Sequence, residues 1–169
     1  MTENTELTGK VVLVTGASRG IGYAASIEAA RRGAHVIAVA RTVGALEELD
    51  DAIQEVGGSS TLVPLDLRDG DAIDRLGAAI FERWGHLDGL VASAGMLGTL
   101  SPVPHFKPDE FDKVMAVNVT ANFRLFALSI CCCGSLRLVA RCSCLQARLA
   151  RPAPSGDFMR RARRRSMHW

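Results

Sequence analysis

The sequence predicts an α/β fold, a parallel sheet held between two layers of helix. Three observations carry that expectation. Short β-branched runs that are apolar on both faces alternate with longer segments whose apolar residues recur at three and four. Glycines close most of the longer segments, and a glycine-rich turn joins the first run to the first helical segment. The chain of 169 residues is 48% hydrophobic and 22% charged, which is room for one domain with a true core. No run of about 18 uncharged apolar residues exists, so no membrane-spanning helix is expected. Met1 to Glu6 has neither a basic nor an apolar leader pattern, so a cytoplasmic location is expected. Plentiful Ala, Val, Ile and Leu exclude disorder throughout.

In order, Lys10 to Thr15 reads as a strand buried on both faces, and Ile21 to Arg32 as an Ala-rich helix stopped by Gly33. Ala34 to Ala40 is a second strand. Val43, Leu46, Leu49, Ile53 and Val56 then mark an amphipathic helix ended by Gly57-Gly58. Ser60 to Leu65 makes a third strand, Ile73, Leu76, Ile80 and Trp84 the next helix, and Leu87 to Ser93 a fourth strand. A last helix starts at Pro108, with Asp109 and Glu110 at the positive end of its dipole. It carries two apolar stripes, Phe111, Met115, Val119, Phe126 and Val114, Val117, Ala121, Leu125. One stripe is expected against the sheet and the other against a neighbouring helix or subunit.

Thr15-Gly16-Ala17-Ser18-Arg19-Gly20-Ile21-Gly22 leaves the first strand and enters the first helix. Gly16 permits the tight turn, Gly20 lets backbone approach a pyrophosphate, and Gly22 allows helix to pack closely on strand. The helix N-terminus adds free N–H groups and a positive dipole end. The plainer alternative is a glycine-rich turn without a ligand.

The motif Thr-Gly-x-x-x-Gly-x-Gly, matched in full by Thr15 to Gly22, resembles that of the short-chain dehydrogenase/reductase family. The resemblance runs on through Asp66-Leu67 after the third strand and Asn118 in Val117-Asn118-Val119, and covers about the first 130 residues. It implies a Rossmann-like doubly wound parallel sheet of strand order 3-2-1-4. It also implies hydride transfer between a nicotinamide cofactor and an alcohol or carbonyl substrate. Asp66 and Leu67 would then contact adenine, and Asn118 would distort its helix and hold a water of a proton relay. Asp66 also reads as an ordinary helix N-cap. The family's Asn-Asn-Ala-Gly stands here as Ala92-Ser93-Ala94-Gly95, so Ser93 keeps one hydrogen bond while the bracing amide contacts are weakened.

An acid about 20 residues beyond the glycines would hold the ribose hydroxyls of NAD. Here that position reads Ala40-Arg41, and Arg41 with Arg19 suits a phosphate, so NADP(H) is favoured over NAD(H). The alternative leaves both arginines merely solvated. His86 and His105 have no second ligand nearby and read as surface residues.

The resemblance also exposes a gap. The family's proton chemistry needs a Tyr, a Lys four residues on that depresses its pKa, and a Ser. The single Tyr is Tyr23, in the first helix, and the lysines are Lys10, Lys107 and Lys113, so no Tyr-x-x-x-Lys pair exists. Asn118 is the one catalytic position of the family that survives.

Composition breaks near residue 130. Residues 1–130 hold eleven Lys and Arg against seventeen Asp and Glu, net −6. Residues 131–169 hold nine Arg and one acid, net +8, with all five cysteines. The division expected is a truncated dinucleotide-binding domain (1–130) and a basic, solvated tail (131–169), with strands five onward absent and the fourth strand a bare edge. Regrouping the tail's bases by one position permits Tyr-Ala-Ala-Ser-Lys within Ser155 to Trp169, and a strand ending in a serine motif from Val139 to Arg148. Met167 into His168 then must give Ala, and His168 into Trp169 must give Leu. A one-base slip between about Leu125 and Cys131 is therefore expected.

Cys131/Cys133 and Cys142/Cys144 lack the two-residue spacer of a zinc site, and no metal is expected. The Arg run Arg160 to Arg165 offers only non-specific attraction to nucleic acid or lipid. The resemblance implies a homo-oligomer, whose contact helices are incomplete here. The favoured reading is a catalytically defective, dinucleotide-binding member of the family. The alternative is a non-catalytic nucleotide-binding or interaction protein with a basic tail.

Overall fold

The structure, a computed structural model, describes residues 6–133 and 138–141. Its elements are β1 (Val11–Thr15), α1 (Gly20–Arg31), β2 (His35–Ala40), α2 (Val43–Glu55), β3 (Ser59–Pro64), α3 (Gly70–Trp84) and β4 (Gly89–Ala92). There follow a 3-10 turn (Val103–His105), α4 (Pro108–Met115), a π turn (Ala116–Thr120), α5 (Ala121–Cys133) and β5 (Leu138–Arg141). All strands are parallel, in the order β3-β2-β1-β4-β5. The α/β doubly wound class and the order 3-2-1-4 are as expected.

The fifth strand is a correction. β5 pairs with β4 from Gly89↔Leu138 to Ala92↔Arg141, so β4 is an inner strand and not a bare edge. Leu-Val-Ala-Arg sits where composition alone predicted a solvated extension. The paired cysteines' side chains, the Arg160–Arg165 run and most of the frame-shift region lie outside the described residues.

β1 is apolar throughout because both of its faces are covered. Val11 and Leu13 join one core with Ile37, Val39, Leu90 and Leu125, under α3 and α5. Val12 and Val14 join the other with Val36, Ala38, Leu46, Leu49 and Ile53, under α1 and α2. The period-2 alternation of a strand thus feeds two hydrophobic layers. α1 approaches the sheet through a small-residue stripe, Gly22, Ser26 and Ala30, with Ser26 Oγ donating to Gly22 O at 2.8 Å. Tyr23 is half-buried against the α1/α2 core.

Two sequence expectations for helices are revised. Asp69, not Asp66, caps α3, accepting from Ala72 N at 3.0 Å through Oδ1. In α4–α5, Ala121 and Leu125 are buried, whereas Phe111, Met115 and Val119 face outward as one stripe. Phe126 departs from that stripe and packs against the core, and Phe123 takes the outward place at 72% exposure. The extra residue of the π turn shifts the face that the following helix presents.

The ends of the strands opposite the glycine turn hold a polar cluster. Asp88 accepts from Lys10 Nζ at 2.9 Å and Val11 N at 3.0 Å, with His86 Nε2 at 3.2 Å. His35 lies 2.8 Å from Ser59 Oγ and 2.9 Å from Thr61 Oγ1, its ring 5.3 Å from that of Trp84. His86 and His105 are exposed, as expected. Among the described residues no helix is long and apolar enough to cross a membrane.

Candidate functional site

The site lies where β1, β2, β3 and β4 end, at the edge where strand order reverses between β1 and β4. Open α/β sheets bind ligands at such a switch point. β1 delivers the buried Thr15, and the chain turns through Gly16 at φ +68° and Gly20 at φ +61°.

Each glycine meets a different constraint. A Cβ on Gly16 would lie 2.8 Å from the backbone N and Cα of Ala94, so the β4 loop can pass this close only to glycine. A Cβ on Gly22 would run into Gly16 O and Ser93 Oγ, which ties the first turn of α1 to the loop. A Cβ on Gly20 would meet nothing within 4 Å, because it would project into the open space above the turn. A ligand approaching through that opening would meet the turn's backbone unobstructed by a side chain at residue 20. Arg19, at the N-cap of α1, supplies no side-chain cap, and no acid stands in the first turn. The positive end of the helix therefore faces the opening uncompensated by a carboxylate. The residues present suit a dinucleotide's diphosphate.

The β4 loop braces this turn. Ser93 is buried and its Oγ donates to Thr15 O, while Ala94 N donates to Thr15 Oγ1 at 3.5 Å. Ser93 thus makes the one hydrogen bond expected of it. Gly95 is exposed beside it, and Ser18, Arg19 and Ile21 lie on the open rim of the turn, with Ser18 half-buried.

At the next strand end, Arg41 is exposed immediately after β2. Leu65 N donates to Ala40 O at 2.9 Å, so Arg41 leaves β2 opposite Leu65, and Asp66 follows one residue on at the same end of the sheet. Leu67 is 9% exposed and anchors the turn in the core. Asp66 accepts from Arg68 N at 3.0 Å and from the Arg68 guanidinium at 2.5–3.1 Å through both oxygens. The hydrogen bonds from Arg68 hold the Asp66 carboxyl below its ordinary pKa, with a further contribution from the field of Arg41. Among the described residues neither Arg19 nor Arg41 is in an ion pair.

Asn118 sits at the centre of the π turn. Its Oδ1 accepts from Met96 N at 2.9 Å and its Nδ2 donates to Met96 O at 2.7 Å, while its own carbonyl accepts from Asn122 Nδ2 at 2.7 Å. An amide that satisfies both polar groups of one backbone residue pins the β4 loop to the distorted helix. The helix distortion at Asn118 was expected; the lock on Met96 was not. Sequence reading also missed the grip of Arg68 on Asp66. Asp-x-Arg was a usable signal, because an Asp side chain accepting from the N–H two residues on is an Asx turn.

A family model described as "short chain dehydrogenase" matches residues 10–131. The chain belongs to the short-chain dehydrogenase family. A fatty acyl-CoA reductase of Acinetobacter baylyi is 40% identical over 120 residues, covering 69% of this chain and 40% of that protein. A versicolorin reductase of Emericella nidulans is 38% identical over 122 residues, covering 72% and 46%. Among solved structures, a metagenomic short-chain oxidoreductase in complex with NADP superposes with a TM-score of 0.73 at 35% identity, covering 75% of this chain and 57% of that one. This short-chain dehydrogenase chain therefore spans less than half the length of those two relatives. Dinucleotide binding is the property its family shares.

Proposed function

We propose that this chain binds NADP(H) through the Thr15–Gly22 turn and the ends of β2, β3 and β4, and that it does not itself turn over an alcohol or carbonyl. The observation that carries the binding half is the opening above Gly20, bordered by an uncapped α1 N-terminus and braced by Ser93 and Ala94. Thr15, Gly16, Ser18, Arg19, Gly20, Ile21 and Gly22 would hold the diphosphate, and Asp66, Leu67, Ala94 and Gly95 would border the adenosine. Arg41, with Arg19, would favour a 2′-phosphate, since no acid follows β2 to accept from ribose hydroxyls.

When bound, the nicotinamide supplies hydride transfer. What this chain's residues supply is orientation, and the proton couple is the missing part. Tyr23 lies within α1, and no Lys stands beyond Lys113, so nothing pairs a phenol with an ammonium. Asn118 keeps its family position but has no relay to serve. The charge reversal and cysteine run after residue 130 support a reading of 131–169 as an out-of-frame tail joined to the 1–130 domain. The same charge split favours a second reading, a nucleotide-binding interaction protein whose basic segment meets an acidic partner.

NADPH oxidation by the purified chain across a panel of ketones and aldehydes tests the catalytic half. No turnover above buffer is expected; turnover abolished by Asn118→Ala would overturn it. Sequencing the gene tests the frame, and an uninterrupted frame across codons 125–131 in independent isolates would sink that part.

A further inference from the structure

We propose that Arg68 is the positioning residue that preserves the 2′-phosphate preference, by occupying the Asp66 carboxylate and so keeping it from Arg41. The inference rests on the NADP(H) reading above and adds to it a residue outside the phosphate turn.

The sheet forces the difficulty. β2 and β3 run parallel in register from His35↔Ser59 to Ala40↔Pro64, and the Leu65 N–Ala40 O bond carries the pairing one step further. Arg41 therefore leaves the sheet opposite Leu65, and the aspartate follows one residue later at the same rim. The Asp66 side chain is 34% exposed, and its carboxylate lies within the field of Arg41, the guanidinium that would receive the phosphate. Left alone, Asp66 has two effects on a 2′-phosphate. It repels the dianion directly, and it offers Arg41 an intramolecular partner that competes with the ligand.

Arg68 removes both effects. Its Nε lies 3.1 and 3.0 Å from the two carboxylate oxygens, its Nη2 lies 2.5 Å from Oδ2, and its backbone N–H completes an Asx turn at 3.0 Å. A planar fork against a carboxylate is the arrangement for which arginine is better suited than lysine. With Asp66 engaged, the rim at the ends of β2 and β3 keeps the positive charge of Arg41. Arg68 is itself exposed at the surface and is in neither core cluster, so its removal is expected to leave the fold intact.

The test is binding of adenosine 2′,5′-bisphosphate and 5′-ADP, and of NADPH and NADH, to wild type, Arg68→Ala, Arg68→Lys and Asp66→Asn/Arg68→Ala, at low salt. Melting temperature is followed in parallel. Arg68→Ala is expected to lower the preference for the 2′-phosphorylated ligand roughly ten-fold, the scale of one unscreened charge near a surface. Arg68→Lys should recover part of it, and the double variant most of it, with melting little changed. If wild type shows no preference for a 2′-phosphate, the NADP(H) reading fails and this inference with it. If wild type shows the preference and Arg68→Ala keeps it, only this inference falls. Failure of the double variant to recover would also overturn it, since Arg68 would then be a direct ligand of the phosphate.

Discussion

Replacing Gly20 by Ala separates the role of the glycine turn in folding from its role in binding. Gly20 stands at φ +61° and its Cβ direction is open, so the folded state bears only the left-handed penalty, about 1–2 kcal/mol. Gly57 offers a matched control: φ is +75°, nothing lies within 4 Å of its Cβ direction, and it closes α2 at the opposite end of the strands from the glycine turn. At about 4 °C per kcal/mol, each single substitution should lower the melting temperature by roughly 4–8 °C. The two variants should then diverge on adding NADPH. A ligand at a hundred times its Kd stabilises by about 2.7 kcal/mol, a rise of roughly 10 °C in wild type and in Gly57→Ala. Gly20→Ala should show little or none of that rise, because its methyl occupies the opening that the diphosphate needs. Thermal melts with and without NADPH measure all of this. Equal NADPH-induced shifts in the two variants would refute the assignment of that opening to the diphosphate.

Gly22→Ala should destabilise by about 1–3 kcal/mol even without ligand, since its methyl collides with Gly16 O and Ser93 Oγ; chemical denaturation reads this directly. Asn118→Ala should cost about 1–3 kcal/mol, leaving both backbone groups of Met96 without their partner, and should raise amide exchange in residues 93–101. Leu125→Ala, at a site with no exposure, should cost about 2–5 kcal/mol in the same denaturation series. For pH, burial and then Arg83 hold His35 below its ordinary 6.5, so the unfolded chain takes up its proton first. Stability from this group is full above pH 6.5 and declines as pH falls through the folded value. His35→Gln should flatten that decline in melts between pH 5 and 8, and an unchanged slope would remove His35 as its source.

The layers and the phosphate turn were legible because their causes are local. β1 and β2 announce double burial by apolar runs, and Gly16 and Gly22 answer close backbone approaches while Gly20 answers a left-handed φ, at spacings the motif encodes. Features that depend on distant geometry were not legible. Asp66 and Asp69 stand three apart, each with an N–H two or three residues on, and only the path of the chain decides that Asp69 caps α3 while Asp66 turns to Arg68. A uniform helix would carry the outward stripe through Phe126, whereas with the π turn around Asn118 Phe126 packs inward and Phe123 faces outward. β5 escaped notice because four residues in a Cys- and Arg-rich stretch carry little pattern; the free hydrogen-bonding edge of β4 is what organises them.

Calorimetric titration of the purified chain with NADPH, followed by NADH under the same conditions, bears most directly on the proposed coenzyme site. One saturable site per chain, with NADPH held more tightly than NADH, is the predicted result. Absence of any saturable heat with either nucleotide from the folded protein, or tighter binding of NADH, would contradict it.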